Sequence, residues 1–326
     1  MGPIGVLRKA SIVLSLCASA CVAQGKSIAA SLSNYEATLR VSSVAGVSAK
    51  SFSGAAFHPG TRTLYVIDND NAIVYELDTT GILLRSISTS GFLDPEGIAY
   101  QADDYFLIAE EGLANIVRVK LPRTGGGPVA KSSGTTLNIA PNAANSGIEG
   151  ISYCPANKTA YAVKEIDPPR VYRIALDAAG APTASFPNEP FNIEGKAGDA
   201  ADIHSLNDGN FIIVNQEQNK LEGYDPQGKA LSSLALGMSK PEGIAMDTGT
   251  GTLYIVGEPL EFRVFKKTNT QVGNLFSGSS GFESFPAPDG LDALPGIYDL
   301  RGRLSHSALI PFLDARAYRR NHHRNR

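Results

Sequence analysis

The sequence contains no tryptophan, only three cysteines and no strong excess of charge of either sign. Cys17 and Cys21 fall in an apolar segment near the N-terminus, so a chain that has lost this segment keeps only Cys154 and forms no internal disulfide. The net charge of −3 excludes the broad basic surface that is typical of nucleic-acid-binding proteins, and we expect no nucleic acid as a partner. Beyond the N-terminal segment, the sequence also lacks an apolar run long enough for a transmembrane helix.

The N-terminal segment has the features of an export signal. A basic pair opens the stretch RKASIVLSLCASACVA, whose apolar part is too short to span a bilayer comfortably and ends in small residues. Cleavage after Ala20 or after Ala23 fits the small-residue rule, and we favour Ala23. We therefore predict a signal peptide over residues 1–23 and a periplasmic or secreted protein, with anchoring through a lipidated Cys21 as the alternative.

The sequence is rich in turn-forming residues and contains an internal repeat. Its 33 glycines and 19 prolines indicate many turns, as in sandwiches, barrels and propellers. A pair of short apolar strands recurs five times, at spacings of 41 to 53 residues; a third strand follows each pair and a fourth follows several. Four short antiparallel strands in a unit of about 40 to 50 residues are typical of propeller blades. The first strands of the five pairs are FSGAAFHP, PEGIAYQA, IEGISYCP, AADIHSLN and PEGIAMDT.

We therefore predict an all-β fold, a five-bladed β-propeller with four-stranded antiparallel blades; the even spacing argues against a β-sandwich. The fifth repeat lacks an outer strand, whereas YEATLRVSS, Tyr35 to Ser43, precedes the first repeat without a partner. Pairing of these two edges would close the ring and remove an exposed sheet edge; a strand from QVGNLF is the competing closure. The propeller domain is expected over residues 24–270, and a Gly/Ser/Pro-rich extension with a basic tail over residues 271–326.

The acidic residues of the repeat occupy two recurring positions. The first lies at the start of the first strand and the second at the end of the second strand, 15 or 16 residues later. The first strand of a blade lines the channel and the second runs back beside it, so both positions meet at one end of the ring. We name this end the mouth. The matched pairs are Ser53 and Asn69, Glu96 and Glu111, Glu149 and Glu165, Ala201 and Gln216, and Glu242 and Glu258.

Six glutamates at one mouth predict a cation site. Blades two, three and five supply glutamate at both positions, and blade four adds an aspartate. Like charges in a partly desolvated site repel one another and need a counter-charge. Oxygen ligands in an irregular set suit Ca2+ better than Mg2+, and few histidines or cysteines are present for zinc. The predicted metal ligands are Glu96, Glu149, Glu242, Glu111, Glu165, Glu258 and Asp202.

Other chemistry has little support in the sequence, which contains no G-x-S-x-G, H-E-x-x-H or P-loop motif. His204, on an inner strand, is either a base in the channel or a hydrogen-bonded core residue. The glutamates are alternatively a solvated rim, or Lys164 neutralises part of their charge from its place beside Glu165. The C-terminal ARAYRRNHHRNR is either a contact for a polyanion or a solvated terminus.

The repeat resembles the SdiA-regulated family of bacterial propellers. The resemblance rests on SGAAFHPGTRTLYVIDNDNAIVYELDTTGILLRSIS, DPEGIAYQADDYFLIAEE, GIEGISYCPANKTAYAVKEIDPPRVYRI and KPEGIAMDTGTGTLYIVGEP, and it covers about residues 35–267. It implies a five-bladed, exported or membrane-anchored, calcium-binding propeller without an established activity, similar to NHL-type repeats and more distantly to metal-dependent lactonases. It also implies Ca2+ near Glu96, Glu149 and Glu242. Blade four departs from the pattern at Ala201.

Two functions are compatible with this pattern. The first, which we favour, is a non-catalytic, calcium-binding scaffold of the bacterial envelope, a monomer that offers its mouth to a small-molecule or protein ligand. The second is a metal-dependent hydrolase of a lactone, ester or phosphoester, with His204 or a channel glutamate as the base. A channel histidine beside the ion would favour the enzyme, and a closed, fully ligated ion would favour the scaffold.

Overall fold

The computed structural model describes residues 27–139 and 147–268 of the chain. The predicted signal peptide, Cys21 and the extension over residues 271–326 lie outside these ranges. The described residues form 21 β-strands and two short 3-10 helices, Leu32–Asn34 and Lys131–Ser133. No helix within the two ranges is long and apolar enough to cross a membrane.

The predicted five-bladed propeller is confirmed, because the strands form five sheets and each sheet contains one four-stranded antiparallel blade. The first strand of the chain is β1 (Tyr35–Val41). Blade one contains β2 (Ala55–His58), β3 (Thr63–Asp68), β4 (Ile73–Leu77) and β5 (Leu83–Ser90). Blade two contains β6 (Pro95–Ala102), β7 (Tyr105–Glu110), β8 (Asn115–Lys120) and, after the two-residue β9 (Val129–Ala130), β10 (Thr135–Asn138).

The remaining three blades follow in chain order, again with the innermost strand first. Blade three contains β11 (Ile148–Cys154), β12 (Thr159–Lys164), β13 (Arg170–Leu176) and β14 (Pro182–Pro187). Blade four contains β15 (Ala200–Ser205), β16 (Phe211–Asn215), β17 (Lys220–Tyr224) and β18 (Ala230–Ala235). Blade five contains β19 (Lys240–Asp247), β20 (Thr252–Glu258) and β21 (Glu261–Lys267).

The N-terminal strand closes the ring, as predicted. Strand β1 pairs antiparallel with β21, with Tyr35 opposite Lys267, and so becomes the outer strand of blade five. Upstream of β1, the hydroxyl of Ser232 in blade four donates to the carbonyl oxygen of Ala29 (2.6 Å), so the N-terminal segment contacts blade four as well. The competing segment QVGNLF lies outside the described residues, and β1 already pairs with the edge of β21 that it would need.

Five hydrophobic clusters hold the blades together, one at each interface between neighbours. The cluster between blades five and one joins Leu64 and Tyr75 to Tyr254 and Phe262, so the ring is closed by side-chain packing as well as by strand pairing. Second strands such as β3 are buried along their whole length because both of their faces pack against neighbouring blades. Each fully buried aliphatic or aromatic side chain contributes about 1.5–3 kcal/mol to this packing.

Close packing around the axis explains the glycine that follows each of the three inner-strand glutamates. A Cβ atom added to Gly97 would lie 2.6 Å from the carbonyl oxygen of Glu149 on the next inner strand, which leaves no room for a side chain. In blade four the matched residue is Asp202, so only this one of the five inner strands places a side chain at that level. Equally short approaches to the neighbouring inner strand occur at Gly54, Gly150 and Gly243.

Residues 121–134 form a strap from blade two to blade one, which the repeat did not predict. Within the strap, β9 pairs in parallel with the end of β5. Arg85 of blade one donates a hydrogen bond to the carbonyl oxygen of Pro122 (2.8 Å). Near the mouth, the ammonium group of Lys131 pairs with the buried carboxylate of Glu110. The strap therefore ties the two blades together beside the site.

Candidate metal centre

The two matched positions of the repeat meet at one mouth of the channel. Asn69, just after β3, donates its side-chain amide to Glu96 at the start of β6 (Nδ2 to Oε1, 2.7 Å). Glu111, just after β7, accepts a hydrogen bond from the backbone N–H of Gly147 in front of β11 (3.2 Å). Each contact joins the end of a second strand to the start of the next blade's inner strand.

Five carboxylates from blades two and three form what we name the acidic cluster. One oxygen each of Asp94, Glu96 and Glu111 lie within 4.8 Å of one another, and so do one oxygen each of Glu111, Glu149 and Glu165. Glu111 belongs to both groups and connects the two blades. Oxygens that ligate Ca2+ lie about 2.3–2.6 Å from the ion and so within about 5 Å of each other. The spacing in each group therefore suits a shared cation.

Only some carboxylates of the acidic cluster accept hydrogen bonds from described residues. Glu96 and Glu111 accept hydrogen bonds from neighbouring residues. In contrast, no donor and no salt-bridge partner among the described residues contacts the carboxylates of Glu149 and Glu165. Both side chains are only partly exposed, and incomplete hydration of a carboxylate is unfavourable without such partners. These two side chains therefore have oxygens available for a ligand ion.

Burial makes the acidic cluster hard to ionise without a counter-charge. Burial, reinforced by nearby carboxylates, raises the pKa of Glu96, of Glu111 and of Glu165 to about 7. The pKa of Glu149 is raised well above its ordinary value by burial and by repulsion from its acidic neighbours. A bound cation would lower all four pKa values, because it favours the charged form of each group.

Blade five carries the same pair of glutamates but also supplies a cation of its own. Nζ of Lys240 lies 2.8 Å from Oε1 of Glu242 and 2.9 Å from Oε1 of Glu258. Burial acts to lower the pKa of Lys240, but the hydrogen bonds to the two glutamates raise it above its ordinary value. Burial also raises the pKa of Glu242, and Lys240 opposes this rise. We name these three residues the Lys240 triad.

Lys164, the lysine considered for neutralising the mouth, makes different contacts. Its ammonium group donates to the backbone carbonyl oxygens of Ile166 and Asp167. No carboxylate of the described residues lies within salt-bridge distance of Lys164. The charge of Lys164 still lowers the pKa of Glu165, but the ion pairs of the mouth lie in blade five, through Lys240.

Three of the predicted ligands lie outside the acidic cluster. Glu242 and Glu258 belong to the Lys240 triad. Asp202 lies at the level of the channel glycines, where its carboxylate accepts the backbone N–H groups of Ile244 (2.9 Å) and Ile203 (2.8 Å). Burial raises the pKa of Asp202 and these N–H groups oppose the rise. Its observed contacts therefore link the inner strands of blades four and five.

His204 lies two residues beyond Asp202, in an apolar section of the channel. It borders a cavity of about 50 Å³ together with residues from the other four inner strands, among them Phe57, Tyr100 and Met246. None of the described carboxylates borders this cavity. Burial lowers the pKa of His204 to about 4, so the imidazole is neutral at pH 7. The histidine that the sequence offered as a base thus lies apart from the acidic cluster.

A third matched position, two residues before the first, also carries charged residues, and the pattern of paired glutamates did not predict it. It holds Asp94, which joins the acidic cluster, and Lys240, which neutralises blade five. In blade four it holds Asp199, whose Oδ1 atom is buried without a hydrogen-bond partner in the described part of the chain. The alignment of the repeats places these three charged residues in register, so the signal was present. The other two blades have Ser51 and Gly147 there.

Comparison with known proteins gives a family match and several structural likenesses. A family model described as SdiA-regulated matches residues 27–266. The chain is similar to the structure of regucalcin, a calcium-binding protein from Agrobacterium tumefaciens, at 17% identity and a TM-score of 0.47, over 70% of this chain and 93% of that one. It is also similar to a gluconolactonase from Xanthomonas campestris, at 15% identity and a TM-score of 0.47, over 73% of this chain and 91% of that one.

Proposed function

The chain belongs to the SdiA-regulated family, and we propose that it is an exported scaffold that binds one Ca2+ ion at the acidic cluster and offers the mouth to a ligand or partner. One observation carries the proposal. Glu149 and Glu165 are partly desolvated carboxylates that no described donor contacts, and three more acids surround them. In blade five the same pair is neutralised by Lys240, so the missing counter-charge is specific to blades two and three.

The donor set favours a hard cation. All members of the acidic cluster are carboxylates, and none of the described histidines or cysteines belongs to it. The carboxylates come from two blades and from three different strand positions, which makes the ligand set irregular. Ca2+ accepts six to eight oxygens in irregular geometry, whereas Mg2+ requires a near-octahedral set. We therefore expect tighter binding of Ca2+ than of Mg2+.

An ion at the acidic cluster would connect blades two and three at the mouth. Glu96 and Glu111 belong to blade two, and Glu149 and Glu165 belong to blade three, so a shared ion would bridge the blade interface. Asp94 is exposed to solvent, whereas Glu96 is buried. Asp94 therefore marks the open side of the cluster, from which a ligand would approach.

Calcium titration of metal-free protein tests the proposal. Binding to the folded state alone raises the free energy of unfolding by about 2.7 kcal/mol at 100 times the dissociation constant. In a domain of this size, that gain raises the melting temperature by roughly 5–10 °C. We expect Ca2+ to produce this rise and EDTA to reverse it. A Glu36→Gln variant, changed at an exposed position in β1, should respond like the wild type.

A melting temperature that is unaffected by Ca2+ and by EDTA, in protein shown to be metal-free, would contradict the proposal. The acidic cluster would then be a solvated rim or a contact surface for a cationic partner. The same preparation gives the metal selectivity, because Mg2+ at equal concentration should produce a smaller rise.

A metal-dependent hydrolase is the second candidate, and Glu165 is the observation that favours it. Its half-buried carboxylate has a pKa of about 7 and no described hydrogen-bond donor, so it could accept a proton near neutral pH. A panel of lactones, esters and phosphoesters, assayed with Ca2+, tests this candidate. Turnover that is lost in Glu165→Gln would favour the hydrolase, and absence of turnover in the wild type would favour the scaffold.

The proposed location is tested separately. N-terminal sequencing of the exported protein should find a mature chain that begins at Gln24, or at a lipidated Cys21. A mature protein that still begins with Met1 would contradict export.

A further inference from the structure

Blade five contains what the acidic cluster lacks, a cation between its two glutamates. The ammonium group of Lys240 contacts Glu242 at 2.8 Å and Glu258 at 2.9 Å. We propose that Lys240 is a tethered cation that fills a second ion position at the mouth and so limits the protein to one bound divalent ion. The number of ions bound by the wild type, one, rests on the function proposed for the acidic cluster.

The fold places Lys240 between the two glutamates. Strands β19 and β20 pair with Lys240 directly opposite Glu258, which makes the two residues cross-strand neighbours. Glu242 lies two residues further along the same strand, and residues two apart share one face of a strand. The side chain of Lys240 is 44% exposed, whereas that of Glu242 is 7% exposed. The ammonium group therefore covers the buried glutamate from the solvent side.

The position two residues before the inner-strand glutamate carries opposite charge in blades two and five. In blade two it holds Asp94, which adds a further oxygen to two glutamates. In blade five it holds Lys240, which supplies the positive charge directly. Replacement of the lysine would therefore leave blade five with a pair of glutamates like those of blades two and three.

The charge of Lys240 also reaches Asp199, the matched residue of blade four. Its Oδ1 atom is buried and has no hydrogen-bond partner in the described ranges. The positive charge of Lys240 acts on Asp199 as well as on Glu165, so these groups lie in one neighbourhood. Lys240 therefore offsets negative charge in blade four as well as in blade five.

The stoichiometry of cation binding tests the proposal. Metal-free wild type and Lys240→Gln are titrated with Ca2+ by calorimetry and with Tb3+ by luminescence. We expect one ion per chain in the wild type and two in Lys240→Gln, the second binding more weakly. Lys164→Gln is the matched control and should stay at one ion, because Lys164 contacts backbone carbonyl oxygens. Lys240→Arg retains the charge and should also stay at one.

The outcomes separate this proposal from the function proposed above. One ion in the wild type and still one in a folded Lys240→Gln would overturn the role of Lys240 and leave the acidic cluster as the calcium site. No ion in the wild type and one in Lys240→Gln would support Lys240 and overturn the calcium site. If Lys240→Gln does not fold, anomalous scattering from Tb3+-soaked crystals of the wild type replaces the titration. An ion between Glu242 and Glu258 would overturn the proposal. Lys240 in contact with both glutamates, with no ion between them, would support it.

Discussion

The two sides of the mouth are built from the same repeat but differ in charge balance. On one side, blades two and three bring five carboxylates together, and the described chain supplies no salt-bridge partner for them. On the other side, blade five has the same pair of glutamates with an ammonium group between them. The strand pairing is equivalent on both sides. The difference therefore lies in the residue two positions before the inner-strand glutamate, which is Asp94 in blade two, Gly147 in blade three and Lys240 in blade five.

Coulomb repulsion between the carboxylates determines how much the two sides of the mouth differ in electrostatic free energy. Two unit charges about 4 Å apart interact by about 4 kcal/mol at an effective dielectric constant of about 20. Lys240 converts repulsion within blade five into attraction without any external ion. No described lysine or arginine forms a salt bridge with the acidic cluster, so protons or a bound cation would supply most of this relief. We therefore expect blades two and three to respond to pH and Ca2+, and blade five to respond to changes at Lys240.

The largest effect is expected from pH. Glu96, Glu111 and Glu165 have a pKa of about 7 in the fold, above the ordinary value of 4.5. Between these values the folded state binds more protons than the unfolded state, so metal-free protein should lose stability as pH rises from about 4.5 through 7. Melting curves in EDTA from pH 4.5 to 8 should show this fall.

Calcium affinity should change with pH in the opposite direction. Below pH 7 each proton that Ca2+ displaces weakens binding about tenfold per pH unit. We expect a loss of about thirtyfold or more between pH 7.5 and 5.5, measured by calorimetry. Affinity that is constant over this range would show that the ligands are already ionised and would contradict the charge comparison.

The next largest effect is expected from Glu149→Gln. This change removes one charge from the acidic cluster at nearly constant volume, so Ca2+ should bind at least about tenfold more weakly, or by about 1.4 kcal/mol. Metal-free Glu149→Gln should melt at a higher temperature than metal-free wild type, because repulsion is reduced. Glu242→Gln is the matched change in blade five and should leave calcium affinity within about twofold. Equal losses in the two variants would mean that both sides of the mouth share one ion.

A smaller effect is expected from Lys240→Gln in metal-free protein. Loss of the ammonium group leaves Glu242 buried without its partner, and we expect a loss of about 1–2 kcal/mol in the free energy of unfolding. Chemical denaturation in EDTA measures this loss. Lys164→Gln also removes a lysine from the mouth, but its hydrogen bonds go to backbone carbonyls. If Lys164→Gln loses as much free energy of unfolding as Lys240→Gln, the stability depends on net charge and not on the contact of Lys240 with the two glutamates.

Most of the fold could be predicted because the repeat is regular. Five copies of one strand pattern required five blades, and the unpaired N-terminal strand matched the missing outer strand of the fifth. The strap over residues 121–134 could not be predicted from this pattern, because it occurs in one copy only. Its contact with Arg85 joins blade two to blade one, whereas its contact with Glu110 lies within blade two.

The sequence predicted that the glutamates meet at one mouth, but it did not predict which of them pair with a lysine. Fixed spacing correctly brought the glutamates to one mouth, yet it treated the three pairs as equal. Lys164 adjoins Glu165 in the sequence, but adjacent residues along an extended chain point to opposite sides. Lys240 lies two residues from Glu242, on the same face, and is the lysine that makes the contact. The contacts of Asp202 with Ile203 and Ile244 could not be predicted, because the close approach of the channel glycines cannot be read from one sequence.

The smallest effect is expected from Asp94→Asn. Asp94 belongs to the acidic cluster, but it is exposed, so water screens its charge more than that of the buried glutamates. An asparagine keeps one oxygen that can ligate Ca2+, and we expect affinity to fall only about two- to fivefold. Asp103→Asn is the matched control, because Asp103 is also exposed and has φ 51° where Asp94 has φ 52°. Asparagine adopts this left-handed conformation readily, so neither variant should strain the backbone. If calorimetry finds the same calcium affinity in both variants, Asp94 is not a ligand. The acidic cluster would then bind Ca2+ through four glutamates, and blade five would differ from blades two and three in the positive charge of Lys240.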